Sequence, residues 1–228
     1  MRFQDAAPDA RAVVYATIQA EPVVARAASL LADASYDQRL LARAVMNGET
    51  NDAAMWRMTF PTLFDPDVDA DELGRSEAIL EVSLEVAERG EQVRSQVRGA
   101  IIESLTALLL ERRAGAGAVR RERRLLFDGV RAEIHPYDVT VEQPGAAEAY
   151  DCKWGARGIG PDVLHQLDDA RGHAADEDEA LRVTLVVFDA RRSCDVRLDR
   201  QTAPTDGIGL VTIETLDALA GAPPDPLP

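Results

Sequence analysis

Residues 137–153 read Tyr-Asp-Val-Thr-Val-Glu-Gln-Pro-Gly-Ala-Ala-Glu-Ala-Tyr-Asp-Cys-Lys, and the fold turns on them. Tyr137 to Val141 alternates and is rich in β-branched residues, which marks a strand. Gln143-Pro144-Gly145 turns the chain, and Ala147 to Lys153 returns as a second strand. A turn at 143–146 pairs the two strands, so Asp138 comes near Asp151. Strand alternation then puts Asp151 and Lys153 on one face.

Outward from this hairpin the period changes. Upstream, Arg124-Leu125-Leu126-Phe127 is a short strand candidate, Asp128-Gly129 a hairpin turn, and Val130 to Ile134 the next strand candidate. Downstream, residues 161–180 read as a helix with Val163, Leu164, Leu167 and Ala170 on one face. Leu181 to Phe188 is apolar almost throughout, which suits a strand buried on both faces. Gly209 to Ile213 reads as another strand and Glu214 to Ala220 as a short helix.

The first part of the chain has a helical period. Apolar residues recur at three- and four-residue spacing over residues 9–48, with Pro22 opening one helix and Asn47-Gly48 closing another. Residues 59–68 are a Pro- and Asp-rich loop. Asp69 or Asp71 caps a long helical stretch that runs to about Arg113 and breaks near Gly90 or Gly99, and residues 114–118 form a joint. The order predicts a mixed α/β core over residues 99–222, an all-helical region over residues 1–98 and a Pro-rich tail at 223–228.

Composition narrows the function classes. Hydrophobic residues at 46% and charged residues at 29% fit a soluble globular chain long enough for a proper core. No apolar run is long enough for a transmembrane helix, and the start of the chain lacks the apolar stretch of a signal peptide, so a cytoplasmic protein with no membrane partner is expected. Cys152 and Cys194 belong to no Cys-x-x-Cys pair, which argues against a zinc ribbon or disulfide framework. The net charge of −15 divides into −7 for residues 1–98, zero for 99–160 and −8 for 161–228. Such a field repels polyanions at long range, so a nucleic acid must be met locally, at the middle segment. Of the 25 basic residues, Lys153 is the only lysine. Unlike arginine, it is a compact point charge.

Four residues could carry chemistry: Asp138, Asp151, Lys153 and, on the helix before the sheet, Glu103 among Ile101, Ile102 and Leu105. Converging carboxylates repel unless a cation joins them, and oxygen donors suit Mg²⁺ or Mn²⁺. A lysine beside such a metal can orient water and neutralise charge on a phosphate.

A helical Glu, a strand Asp and then Asp-x-Lys on the next strand resemble the PD-(D/E)XK, or restriction-endonuclease-like, nuclease superfamily. The resemblance covers about 95 residues and implies an αβββαβ core preceded by the helical region. It implies a metal-dependent endonuclease, most readily of DNA with RNA not excluded, in a restriction or anti-phage setting. Asp138, Asp151, Lys153, Glu103 and Gln166 would be its catalytic residues, Gln166 being the polar residue on the following helix. Asp138, Asp151, the Cys152 carbonyl and Glu103 would hold Mg²⁺, with Mn²⁺ able to substitute. A homodimer or a subunit of a larger defence complex would follow, with residues 1–98 making partner, dimer or DNA contacts. The sequence departs from the pattern in two places. Tyr137, not proline, precedes Asp138, and Ala170 stands four residues after Gln166 where some members carry tyrosine. The alternative is a non-catalytic protein-interaction subunit that keeps the fold, which the acidic composition and large helical region support.

The run Arg120-Arg121-Glu122-Arg123-Arg124 reads either as a solvated helix end and loop or, with Arg157, as a nucleic-acid contact. Gly155, Gly158 and Gly160 lack the Gly-Lys-Ser/Thr ending of a phosphate loop and suit a mobile loop beside the site, where Trp154 and Arg157 would touch substrate. His135, His165 and His173 show no ligand spacing, Cys152 reads as a strand filler, residues 176–179 as a solvated helix end, and Trp56 and Phe60 as anchors.

Overall fold

The connection from the strand that ends at Lys153 to the strand that begins at Leu181 organises the sheet. Two parallel neighbours need a crossover, and a helix supplies it. The computed structural model describes residues 1–6, 10–131, 135–143 and 145–221. Seven strands form one mixed sheet: β1 (Arg2–Asp5), β2 (Val119–Phe127), β3 (Val130–Arg131), β4 (Tyr137–Gln143), β5 (Ala146–Lys153), β6 (Leu181–Val187) and β7 (Gly209–Thr212). Their order is β1-β2-β4-β5-β6-β7, with β3 also paired to β2. Pairing is antiparallel from β1 to β5 and parallel from β5 to β7. The helices are α1 (Ala10–Gln19), α2 (Pro22–Ala32), α3 (Tyr36–Asn47), α4 (Ala53–Thr59), α5 (Ala70–Ala87), α6 (Glu91–Ala114), α7 (Pro161–Asp176) and α8 (Arg191–Leu198). The fold is mixed α/β, as the sequence pattern indicates.

The chain forms two compact units. One comprises residues 1–8 and 106–228, the other residues 9–105. In the sheet unit, Leu164, Leu167, Ala170 and Ala174 of α7 pack on Leu125, Phe127, Ala149, Val183, Leu185 and Val187. This apolar stripe recurs at helical spacing, and the strand residues are its flat counterpart. The β2–β3 turn takes positive φ at Asp128 (47°) and Gly129 (81°), the geometry a two-residue hairpin needs and an Asp-Gly pair tolerates. In the helical unit, α5 packs against α2 and α3. Ser35 and Gln38 form a capping box on α3, and the buried Gln38 amide also donates to Ser76 Oγ at 2.9 Å. Pro22 opens α2 and Gly48 ends α3, where an added Cβ would lie 2.7 Å from the Trp56 ring.

Several expectations need correction. Residues 1–98 are not all helical: Arg2–Asp5 form β1, paired with Arg123–Leu126. The division falls inside α6, after Leu105, rather than at residue 98. The arginine run is neither helix end nor loop but the middle of β2, which starts at Val119. The long helical stretch breaks at Glu88–Gly90, while Gly99 stays inside α6. Helices α4 and α8 escaped the reading, and the final helix is a 3₁₀ turn, Leu216–Leu219. The strand expected over 130–134 is present as β3, while residues 132–134 and the tail at 223–228 lie outside the described residues. No helix among the described residues is long and apolar enough to cross a membrane.

Candidate functional site

The ends of β4 and β5 bring Asp138, Asp151 and Lys153 together. Val139 pairs with Tyr150 across the antiparallel ladder, so Asp138 and Asp151 stand one step beyond it. There the Asp138 side chain takes over from the backbone: its Oδ2 accepts the Cys152 N–H at 2.6 Å. Asp151 is buried, and its Oδ1 forms an ion pair with Lys153 Nζ. Among the described residues, that buried oxygen has no partner besides the ammonium. Burial pulls the Lys153 pKa down, but Asp151 and then Asp138 raise it more, so the ammonium stays protonated above the usual lysine range.

The segment after Lys153 is fastened to the end of β6. Phe188 N donates to Lys153 O at 2.8 Å, and the Trp154 and Phe188 rings lie 4.8 Å apart. Asp189, buried, accepts Ala156 N on Oδ2 at 3.0 Å and Ala190 N on Oδ1 at 2.8 Å. The resulting 3₁₀ turn, Ala156–Gly158, presses on Lys153: a Cβ at Gly158 would lie 2.9 Å from Lys153 Cδ. Gly158 is therefore a close-approach glycine and not part of a phosphate loop. Trp154 packs on Phe188, so the segment expected as a loop beside the site is tied at its start to the end of β6.

The remaining candidates are placed differently. Glu103 belongs to the helical unit, where it is buried and accepts from Tyr15 Oη at 2.5 Å and Gln19 Nε2 at 2.8 Å. Gln166 lies on α7, and its amide clasps the His135 backbone, accepting from N and donating to O, each at 3.1 Å. That clasp holds the entry to β4. The Cys152 thiol is buried 3.5 Å from Thr106 Oγ1. Arg123 is spent on Glu142 and Asp5, and Arg120 donates to the carbonyls of Ala116 and Val119. Arg120, Arg121 and Arg157 are exposed, while Arg123 and Arg124 are half-buried. Among the histidines, His173 stacks on Phe127 at 5.5 Å.

Sequence reasoning missed Asp189, and a buried cluster on β5. Glu148 pairs with Arg113 of α6, Tyr150 Oη donates to the same carboxylate, and Arg182 stands 3.7 Å away. Burial and then Glu148 push the Tyr150 phenol well above its ordinary range. Alternation could have flagged Glu148 and Tyr150 as sharing a face, but Arg113 reaches them from 35 positions away.

Mg²⁺ and Mn²⁺, implied by the resemblance, can be tested against these donors. The described residues hold no group of three or more Asp, Glu, His or Cys side chains gathered as a metal cage. They do offer two carboxylates at these strand ends: Asp151, whose buried Oδ1 has no partner besides the Lys153 ammonium, and Asp138. Mg²⁺ keeps several waters and commonly binds through one or two carboxylates, so this hard-oxygen pair fits it.

No family model matches the chain, and no curated protein matches it. Among solved structures, protein VC1899 from Vibrio cholerae is similar at 16% identity and a TM-score of 0.44, over 88% of this chain and 55% of that one. The chain thus spans little more than half the length of that protein.

Proposed function

We propose that the sheet unit is a metal-dependent nuclease of the restriction-endonuclease-like kind, hydrolysing phosphodiester bonds in DNA. The observation that carries this reading is the meeting of Asp138, Asp151 and the protonated Lys153 at the end of β4 and β5. Asp138, Asp151 and the Cys152 carbonyl would hold Mg²⁺, which when bound supplies charge neutralisation on the phosphate and a more acidic water. In hydrolysis a water oxygen bonds to phosphorus as one P–O ester bond breaks; the water gives up a proton to solvent and the departing oxygen takes one up, leaving a terminal phosphate and a hydroxyl. Lys153, held as an ammonium, stabilises negative charge building on the phosphate oxygens. Asp151 keeps that ammonium in place, and the wall at 154–159 limits where its stem can lie. The reading draws on the sheet unit alone and gives Glu103 no part. A duplex cut on both strands by one such site per chain calls for two chains.

A second reading has its own support. Asp138 already completes the β4–β5 ladder and Asp151 already has a partner, so the trio also suits a protein-interaction subunit in which these charges serve the fold. Supercoiled plasmid, incubated with Mg²⁺, Mn²⁺ or EDTA, separates the two. The nuclease reading expects metal-dependent nicking or cutting, reduced roughly 10²–10³-fold in Lys153→Ala and Asp151→Asn. Absence of metal-dependent cutting by the wild-type chain, alone and with a candidate partner, sinks it.

A further inference from the structure

Arg157 is exposed on the 3₁₀ turn Ala156–Gly158, and the turn is anchored from two sides. From the end of β6, Asp189 Oδ2 takes the Ala156 N–H at 3.0 Å. From α8, Arg197 Nε donates to Ile159 O at 2.8 Å. Inside the turn, Gly158 N donates to Gly155 O at 2.9 Å and Ile159 N to Ala156 O at 3.1 Å. The turn's far end lies against the Lys153 stem at Gly158. None of the ion pairs among the described residues includes Arg157, although the chain carries 40 carboxylate side chains against 25 cations. In so acidic a chain, an exposed guanidinium outside the ion pairs of the described residues, on a hydrogen-bonded turn that packs on the only lysine, is placed to receive an anion.

The ligand chemistry follows from the guanidinium. Its planar fork matches two oxygens of one phosphate, and a mount already ordered lowers the entropy cost of presenting it. We propose that Arg157 binds a backbone phosphate of duplex DNA next to the one that Lys153 faces, and that Asp189 is the positioning residue holding Arg157 there. The identity of the ligand rests on the nuclease reading, whereas the mount does not.

The test is fluorescence anisotropy of a fluorescein-labelled DNA duplex in EDTA, where no cutting occurs, across a salt series. Wild type is compared with Arg157→Ala, Arg157→Lys, Asp189→Ala and the Arg157→Ala/Asp189→Ala double variant, each checked for folding by circular dichroism. Arg157→Ala is expected to weaken binding about tenfold and to lower the salt slope by about one phosphate contact. Arg157→Lys restores the slope but only part of the affinity, because an ammonium lacks the fork. Asp189→Ala weakens binding when Arg157 is present and adds nothing once Arg157 is gone, the signature of one residue acting through the other. Wild-type affinity and slope in Arg157→Ala overturn the proposal, even where the plasmid assay upholds the nuclease. Failure of the wild-type chain to bind duplex overturns it as well. Equal losses from Asp189→Ala in both backgrounds overturn the positioning role, and the Arg157 variants decide the contact should Asp189→Ala not fold. An Arg157 effect without metal-dependent cutting supports the contact while removing the nuclease reading.

Discussion

Asp138 accepts the backbone N–H of Cys152 on the neighbouring strand, through Oδ2 at 2.6 Å. One carboxylate thus finishes the β4–β5 ladder and adds negative charge beside Lys153. The two roles separate by substitution. Asp138→Asn keeps an oxygen acceptor, and we expect its urea midpoint to stay near wild type while, on the proposed nuclease reading, metal-dependent cutting is lost. Asp138→Ala strands a donor and should also cost about 1–3 kcal/mol of stability. Equal stability losses in both would show that the charge, not the acceptor, holds the strand ends.

Gly158 lies so close to Lys153 that a Cβ there would sit 2.9 Å from Lys153 Cδ and 3.1 Å from its Cβ. The stem must move to admit a methyl group. Gly158→Ala is expected to fold normally, since φ at Gly158 is not among the positive values. On the proposed nuclease reading, its cutting rate should fall roughly tenfold or more, the scale of a misplaced catalytic group. An unchanged rate would mean that the position of the Lys153 stem does not matter to the reaction.

Arg113 and Glu148 are each only 10% exposed at the side chain and share Tyr150 as a third partner. Removing one member leaves the other charge buried without it. Arg113→Met should lower stability by about 3–5 kcal/mol, whereas Arg113→Met with Glu148→Leu should recover much of that loss, since a dry apolar pair can replace a buried ion pair. Chemical denaturation of the two variants checks this.

Cys194 is buried, and burial, reinforced by Asp189 and Asp195, pushes its thiol up to about 12 from the ordinary 9.0. A raised native pKa stabilises fully below the unfolded value. The contribution therefore persists below pH 9.0 and is lost as pH rises toward about 12, because the unfolded chain ionises first. Denaturation midpoints from pH 8 upward should decline more steeply for wild type than for Cys194→Ala. In the native protein at pH 8, neither buried cysteine should react with a thiol reagent until denaturant is added.

What was legible in the sequence had a local cause. The Asp-Gly turn, the Pro22 start, the Gly48 stop and the apolar β6 each follow from residues next to one another. The turn at 143–146 and strand alternation together were also enough to bring Asp138, Asp151 and Lys153 to one strand end. Long-range pairing was not legible. The arginines of β2 look like solvent-facing chain until Glu142 and Asp5 are opposite Arg123, and Asp5 is 118 positions away. Helix α8 was missed because its one buried residue, Cys194, gives no apolar period. Gln166 was singled out for its polarity and its helix, but no local rule revealed that its amide would be taken by the His135 backbone. Asp189 carries no local signal, and only the fold shows that it reaches back 33 positions to Ala156.

β1 pairs with β2 although residues 9–105 come between them as a separate unit. During synthesis this sets an order of events. Asp5 leaves the ribosome 118 residues before Arg123, a wait of roughly 6–24 s at ordinary elongation rates. In that interval the helices can complete their own unit, while Arg2–Asp5 remain an unpaired strand edge. The nascent chain must keep that edge from other partners until its neighbour has been made.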